Sequence, residues 1–274
     1  MQIGIMARTF VRPTLEETLD AVISHEIYCV QFSLGCVGLP ELPEHINTGL
    51  CDRIRREMDA RQITMSAISG TFNMIHPDLQ KRRDGLRLLR ELMSVCHRLG
   101  TSVITLCTGT RDPESMWRRH PENDSPEAWE DLVASMKEAL QNAEENKVTL
   151  AFEPEVSNVV DSAIKGRRLL DEMQSPYLKV VMDGANIFHK GELPRMREIL
   201  DEAFALLGED IIIAHAKDLD HDGEAGHKAA GTGLLDYDRY LSLLNTVGFD
   251  VPLILHGLSE EQVNECIAFL RGKI

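Results

Sequence analysis

The chain has 274 residues, of which 43% are hydrophobic, so it can bury one large core and lies within the size range of a single α/β barrel domain. Its 44 acidic and 29 basic side chains give a formal net charge of -15, which would repel a phosphate backbone and argues against a nucleic-acid partner. No apolar stretch approaches the roughly 18 residues of a membrane span, so no membrane partner is expected.

The six cysteines are spread along the chain without a C-x-x-C pair, and most of them fall inside apolar runs. This is typical of reduced thiols in the core of a cytosolic protein. Residues 1–10 enter a strand-like run without the charged region and long apolar stretch of a signal peptide. We therefore expect a cytoplasmic protein.

Short apolar runs rich in β-branched residues recur along the chain and predict eight strands. The predicted strands, in chain order, are 2–6, 28–33, 63–68, 102–106, 148–153, 178–183, 211–216 and 252–255. Segments with helical periodicity lie between them. This alternation of strand and helix predicts a parallel sheet.

Helix boundaries agree with this alternation. Thr14 followed by Glu17 predicts a capping box, and Ser125 before a proline predicts a helix start. Gly100 is a predicted C-cap, and Gly248 is predicted to end the helix before the last strand.

Eight strand–helix units within the length of one domain favour a closed (β/α)₈ TIM barrel that spans residues 1–274 as a single domain. An open doubly wound sheet is the alternative. No G-x-G-x-x-G follows the first predicted strand, which disfavours a dinucleotide-binding sheet. In a barrel, the active site is expected at the C-terminal ends of the strands.

The last four predicted strands each end in a good metal ligand: Glu153, Asp183, His215 and His256. Each of these residues alone could be a helix cap, a buried histidine or half of a surface ion pair. However, the ends of consecutive barrel strands are neighbours, and an acidic group closing an apolar strand is costly to bury without a partner. We therefore predict that the four side chains converge on one divalent metal ion. Two oxygen and two nitrogen ligands suit Mn²⁺, our first expectation, or Zn²⁺, Co²⁺ or Fe²⁺.

Four segments carry a resemblance to a known family: AFEP at 151–154, VMDGAN at 181–186, HAKD at 215–218, and GTG at 231–233 through DY at 236–237. With them the chain resembles the xylose isomerase-like TIM barrels, also described as sugar phosphate isomerases/epimerases or apurinic-endonuclease-2-like barrels. The resemblance runs along nearly the whole chain. It implies a metal-dependent enzyme of carbohydrate metabolism, and because such barrels often pair, it also allows a homodimer.

Two positions depart from the family pattern. The resemblance implies metal binding by Glu153, Asp183 and His215, but the family's fourth ligand is commonly a Glu, and this chain has His256 there. A histidine can bind metal, but it cannot simply replace a carboxylate as proton carrier. Many members also have a His where this chain has Asn186, whose amide is expected to bind a substrate hydroxyl.

Three further residues are expected to contact a substrate. His76 follows the third predicted strand and is expected to face the pocket. His189 lies just beyond the sixth predicted strand and either faces the site or is an exposed loop histidine. Lys217 is expected to bind an anionic or polarised oxygen, unless it only pairs with the adjacent Asp218.

The resemblance implies a basic substrate contact in the loop after the seventh strand, where His227 and Lys228 are the candidates. A solvated surface loop is the alternative for both. Glu155 could be a base, a support for the site or a surface residue. Trp117 could form a wall of the pocket, whereas Trp129 is expected to pack in a helix.

A divalent cation beside a carboxylate suits a polyol or keto-sugar, because it can chelate adjacent oxygens and stabilise an enediolate while the carboxylate moves a proton. We therefore expect an isomerase or epimerase of a sugar-like small molecule, with Glu153 as base and metal ligand and Lys217 assisting. Because a ligand imidazole must be neutral, metal affinity is expected to weaken as the pH falls through about 6.5.

Other functions stay open. A lyase or dehydratase on the same barrel needs no second carboxylate on the opposite face of the substrate, which fits the presence of His256. A catalytically silent metal-binding barrel is an alternative of a different class. The DNA-repair endonucleases that share the fold use three zinc ions, and Asn186 together with the negative charge disfavours them.

Overall fold

Each barrel strand pairs in parallel with its neighbour along the chain, and the first and last barrel strands close the ring. The computed structural model describes residues 1–247 and 251–274. Within it the strands are β1 (Gln2–Met6), β2 (Cys29–Phe32), β3 (Thr64–Ser69), β4 (Val103–Cys107), β5 (Thr149–Glu153), β6 (Leu178–Asp183), β7 (Ile211–Asp218), β8 (Lys228–Ala229) and β9 (Pro252–Leu255). The predicted closed (β/α)₈ barrel is confirmed, with β9 as its eighth strand.

The strand β8 is a two-residue addition that was not predicted. It pairs antiparallel with the end of β7, where Lys217 faces Ala229 and Asp218 faces Lys228. As a result, β7 continues to Asp218, two residues beyond its predicted end. The segment between β7 and β8 therefore folds back over the C-terminal mouth of the barrel.

Helices surround the barrel and follow its strands in turn. They are α1 (Leu15–Ser24), α2 (Thr48–Ala60), α3 (Leu79–Leu99), α4 (Pro126–Asn146), α5 (Ala163–Met173), α6 (Met196–Leu207), α7 (Tyr237–Thr246) and α8 (Val263–Arg271). Their apolar faces pack on the outside of the sheet and form the main hydrophobic core. None of the helices in the described ranges combines the length and apolar character that crossing a membrane requires.

The predicted helix boundaries correspond to real capping contacts. The Thr14 side chain accepts from the backbone of Glu17, whose side chain accepts in return from the Thr14 backbone. The Ser125 side chain caps α4, and Gly100 ends α3 with a left-handed φ of 106°. The predicted helix end at Gly248 lies outside the described residues. Trp129 is buried on α4, as expected for a packing residue.

Candidate metal and substrate site

A small apolar cluster fills the interior of the barrel, and each of β5, β6, β7 and β9 contributes one residue: Ala151, Val181, Ile213 and Ile254. Side chains two positions apart on a strand point to the same side of the sheet. The positions two residues further along therefore face the same interior at its C-terminal mouth, and they are Glu153, Asp183, His215 and His256. Strand alternation thus places the four predicted ligands at the same mouth of the barrel.

Three of these side chains hold buried polar atoms without a hydrogen bond among the described residues, although Lys217 forms an ion pair with Asp183. Asp183, His215 and His256 each offer one ligand atom, and these atoms lie within 4.8 Å of one another. Within the described part of the chain, Asp183 Oδ2, His215 Nδ1 and His256 Nδ1 form no hydrogen bond. Buried polar atoms are rarely left unsatisfied because desolvating them costs free energy. One carboxylate and two imidazoles form a donor set that fits a divalent transition-metal ion.

Glu153 stands beside this group and is held by Asn186. Its Oε1 lies 3.5 Å from His215 Nδ1 and accepts a hydrogen bond of 2.5 Å from Asn186 Nδ2. Asn186 Oδ1 in turn accepts from the backbone of Gly226 at 2.8 Å. Asn186 therefore orients the Glu153 carboxylate and ties it to the segment between β7 and β8.

His215 is oriented from the opposite side of the barrel by Gln31. Gln31 Oε1 lies 2.9 Å from His215 Nε2, while Gln31 Nε2 donates to Thr105 Oγ1 at 3.0 Å. Because the Gln31 amide nitrogen is used by Thr105, the amide oxygen accepts from His215 Nε2–H. In the neutral ring the lone pair then lies on Nδ1, which is the atom that faces Glu153 and Asp183.

The charges inside the mouth are strongly coupled. Lys217 Nζ lies 3.3 Å from Asp183 Oδ2, and His215 Nδ1 lies 3.8 Å from the same oxygen. Burial acts to raise the pKa of Asp183, but the charges of Lys217 and His215 outweigh it and hold that pKa below its usual range. Burial acts to lower the pKa of His215, yet the nearby carboxylates, Glu153 first, raise it to about 9. The metal-free site therefore holds a carboxylate between two cations at neutral pH.

His256 differs from His215 in protonation and in tautomer. Burial and the charge of Lys217 hold the pKa of His256 well below its usual value, so its ring is neutral. Arg8 Nη2 lies 3.3 Å from His256 Nε2. Since a guanidinium only donates, Nε2 is the acceptor and the ring proton sits on Nδ1. His256 can bind a cation through Nδ1 only if this contact with Arg8 is released.

Glu155 is a buried wall residue of the site. It is only 5% exposed, and burial raises its pKa to about 6 against the opposing hydrogen bond from Ser157. Its two oxygens accept from Ser157 N at 2.8 Å and from Asn158 Nδ2 at 2.6 Å. Because both oxygens are engaged by the loop after β5, Glu155 holds this loop in place, and the surface alternative for Glu155 does not apply.

A cavity of about 520 Å³ opens above these residues and is large enough for a small-molecule ligand. Its walls include Glu153, Asn186, His215, Lys217 and His256. Trp117 also lines the cavity and is 60% exposed, so an aromatic residue stands at the mouth. Lys217 points into this cavity toward Asp183. Asp218, the alternative partner of Lys217, instead accepts backbone hydrogen bonds from the loop after β8.

The other predicted substrate contacts do not line the cavity. His76 accepts from the Asp78 backbone through Nδ1, and its Nε2 lies 3.2 Å from Pro113 O. His189 Nε2 lies 3.9 Å from a carboxylate oxygen of Asp161. These two histidines contact loops and do not line the cavity, which differs from the expectation for His76 and agrees with the loop alternative for His189.

The two basic candidates after β7 also point elsewhere. His227 Nε2 lies 2.8 Å from Asp220 Oδ1, and Lys228 Nζ lies 2.8 Å from Asp220 Oδ2. Both side chains thus contact one exposed carboxylate in the segment between β7 and β8. The interaction with Asp220 explains why neither reaches the cavity.

Gln31 and Arg8 were not predicted from the sequence. Gln31 lies on β2 two residues after Cys29, which belongs to the interior cluster. An amide in a buried strand could therefore have indicated a polar residue inside the barrel. Arg8 follows the end of β1 and lines the cavity. Nothing in its local sequence indicates a contact with His256, which is 248 residues away.

The sequence profile of the family described as xylose isomerase-like TIM barrel matches residues 21–273. The chain therefore belongs to this family, as its four motifs indicated. No curated protein sequence matches the chain.

Solved structures with the same fold cover almost the whole chain at low sequence identity. A xylose isomerase domain protein from Planctomyces limnophilus has a TM-score of 0.76 at 18% identity, over 99% of this chain and 95% of that chain. The 3-keto-D-glucoside 4-epimerase YcjR from E. coli has a TM-score of 0.74 at 13% identity, over 99% of both chains. The probable 3-DHS dehydratase AsbF from Bacillus anthracis has a TM-score of 0.76 at 12% identity, again over 99% of both. At these identities the likeness shows a shared fold.

Proposed function

We propose that this protein is a divalent-metal-dependent isomerase or epimerase of a sugar or a related keto-polyol. The observation that carries the proposal is the set of buried atoms without hydrogen bonds on Asp183, His215 and His256. The two histidines line the cavity together with Glu153, and Asp183 is buried behind them. Two findings support the proposal: the chain belongs to the xylose isomerase-like family, and a protein with the same fold is a 3-keto-D-glucoside 4-epimerase.

The residues of the site suit the movement of one proton. Asp183, His215, His256 and Glu153 would hold the cation, Mn²⁺ first. When bound, such an ion supplies positive charge that stabilises an enediolate. Of the two carboxylate ligands, Glu153 is the more accessible, because 19% of its side chain is exposed and the Asp183 side chain is fully buried. Glu153 is therefore our proposed base.

Two cationic groups of the cavity would act on substrate oxygens. The Lys217 ammonium is buried against Asp183 and lines the cavity, where it would donate to a carbonyl or alkoxide oxygen. Arg8 forms no ion pair within residues 1–247 and 251–274, so its guanidinium has free donors near His256. Trp117 would pack against the apolar face of a sugar ring.

Elimination on the same site is the second candidate. The residue that follows β9 is His256, so the site offers no carboxylate from that strand on the opposite face of the substrate. Elimination needs only one base and a leaving group. The fold likeness to a probable dehydratase is consistent with this alternative.

The metal requirement is tested by thermal unfolding of chelator-stripped protein. Mn²⁺ at a hundred times its dissociation constant should stabilise the fold by about 2.7 kcal/mol. Asp183→Ala should abolish the shift in a His227→Ala background, which prevents the exposed histidines between β7 and β8 from binding Mn²⁺. The matched control is Asp201→Ala, which removes an exposed carboxylate that pairs with Arg239 outside the cavity lining and should keep the shift. No Mn²⁺-dependent shift in the parent would contradict the proposed metal site.

The reaction is tested by NMR of candidate keto-sugars and keto-glycosides in D₂O with Mn²⁺. A product of unchanged composition with solvent deuterium at one carbon supports isomerisation or epimerisation. An unsaturated product supports elimination instead. If no substrate reacts although Mn²⁺ binds, the protein is better described as a metal-binding barrel.

A further inference from the structure

The hairpin between β7 and β8, residues 219–227, covers part of the cavity. Ala225 lines the cavity, and the backbone of Gly226 donates to Asn186 Oδ1 at 2.8 Å. The backbone of Gly223 donates to Phe188 O at 2.9 Å. The position of this hairpin therefore determines the shape of one wall of the site.

Three exposed side chains meet at the base of this hairpin. Asp220 Oδ1 lies 2.6 Å from His221 Nδ1 and 2.8 Å from His227 Nε2. The two imidazole rings stand with centroids 4.4 Å apart. The ligand atoms of all three residues lie within 4.8 Å of one another. Two nitrogens and one oxygen thus lie close together. Each ring N–H donates to Asp220 Oδ1 in this structure, so a nitrogen can bind a cation only after it loses that hydrogen.

This cluster is separate from the site in the barrel mouth, and the hairpin has another anchor. None of the three side chains lines the cavity. Asp222 Oδ2 accepts backbone hydrogen bonds from Gly191 and Leu193, both at 2.9 Å, and these bonds fasten the hairpin to the loop after β6. The two histidines make no comparable contact with the rest of the barrel among the described residues.

The chemistry of the cluster matches a transition-metal ion. Two imidazoles and one carboxylate oxygen are preferred by borderline divalent ions such as Zn²⁺ over Ca²⁺ or Mg²⁺. Lys228 Nζ lies 2.8 Å from Asp220 Oδ2, whereas Oδ1 of the same carboxylate is directed at the two rings. Glu224 Oε2 lies 3.7 Å from His221 Nε2 and adds a second carboxylate beside the cluster.

We propose that Asp220, His221 and His227 form a second metal site that binds one Zn²⁺-type ion and joins the two arms of the hairpin. Asp220 and His221 lie on the arm that leaves β7, and His227 lies on the arm that enters β8. An ion shared by both arms restricts their separation and so stabilises the wall over the cavity. This inference does not depend on the proposed catalytic function.

Zn²⁺ titration of the chelator-stripped full chain by calorimetry tests the site. We expect two equivalents in the parent and one in His227→Ala or His221→Ala. Asp183→Ala should retain the hairpin equivalent and lose the other. His45→Ala is the matched control, because His45 is an exposed ring 3.0 Å from Glu91 without a second imidazole, and this variant should behave as the parent.

Unchanged Zn²⁺ stoichiometry and affinity in both His221→Ala and His227→Ala would overturn the proposal, as would an equal loss in His45→Ala. If Asp183→Ala does not fold, the test is the Zn²⁺ stoichiometry of His227→Ala, which should be one equivalent lower than that of the parent. Failure of Mn²⁺ binding in the barrel mouth with retention of the hairpin equivalent would contradict the proposed function alone.

Hydrogen exchange gives a structural readout of the same ion. The backbone amides of Gly223 and Gly226 should exchange more slowly with Zn²⁺ in Asp183→Ala, where the hairpin site is the remaining one. The effect should vanish when His227→Ala is added. Slowing that persists without His227 would show that the ion acts elsewhere.

Discussion

The pH dependence of metal binding tests the electrostatics of the barrel mouth most directly. His215 Nδ1 lies between Glu153 Oε1 at 3.5 Å and Asp183 Oδ2 at 3.8 Å. Burial opposes the protonated ring, but the two carboxylates outweigh it and raise the pKa of His215 to about 9. The metal-free protein therefore carries a proton on His215 at pH 7, and this proton must leave before Nδ1 can bind a cation.

The sign and size of the effect follow from this pKa. Below about pH 9 the His215 ring is protonated in the metal-free protein, and it must be neutral in the metal-bound protein. Each decrease of one pH unit in this range therefore lowers the Mn²⁺ affinity about tenfold, or by ~1.4 kcal/mol. Between pH 6 and pH 8 the Mn²⁺ affinity should rise about 100-fold, or ~2.7 kcal/mol. His256 is neutral in this range because its pKa is lowered. The change in Mn²⁺ affinity that was expected near pH 6.5 is therefore expected at a higher pH, and it involves one proton.

Calorimetry with Mn²⁺ at pH 7 in two buffers of different ionisation enthalpy measures the proton count. We expect about one proton released per Mn²⁺ bound. His256→Gln should keep this release, whereas His215→Gln should abolish it. The His227→Ala background removes any contribution from the hairpin. Release of no proton or of two, or an affinity that is constant between pH 6 and pH 8, would refute the assigned charges.

Three further substitutions test individual contacts. Gln31→Leu removes the acceptor that keeps the proton of His215 on Nε2, so calorimetric Mn²⁺ affinity should fall about 10- to 100-fold; an unchanged affinity would contradict this positioning role. Arg8→Met frees Nε2 of His256 and should raise Mn²⁺ affinity in the same titration, whereas a loss would show that Arg8 supports the site. Tyr240→Phe removes hydrogen bonds to carbonyls of β6 and β7, and urea unfolding should show a free energy of unfolding lower by about 1–2 kcal/mol, in contrast to no change if these bonds are unimportant.

Much of the fold could be predicted because its signals are local. The eight barrel strands lie within one or two residues of their predicted positions, since a buried strand is a short apolar run bounded by polar residues. The capping box at Thr14 and the left-handed Gly100 are likewise properties of a few neighbouring residues. The β7–β8 hairpin was missed because a two-residue strand carries no periodic pattern.

The sequence by itself determined the barrel and the location of Glu153, Asp183, His215 and His256 at one mouth, because strand alternation and strand order place these residues there. Only the tertiary structure decided their protonation and orientation. The acceptor of His215 is Gln31, 184 residues away, and the charges that set the pKa values belong to other strands. The tertiary structure also decided where the loop side chains point. His227 contacts Asp220 and does not line the cavity, because the folded hairpin places that carboxylate beside it. Its position in the sequence does not reveal this contact.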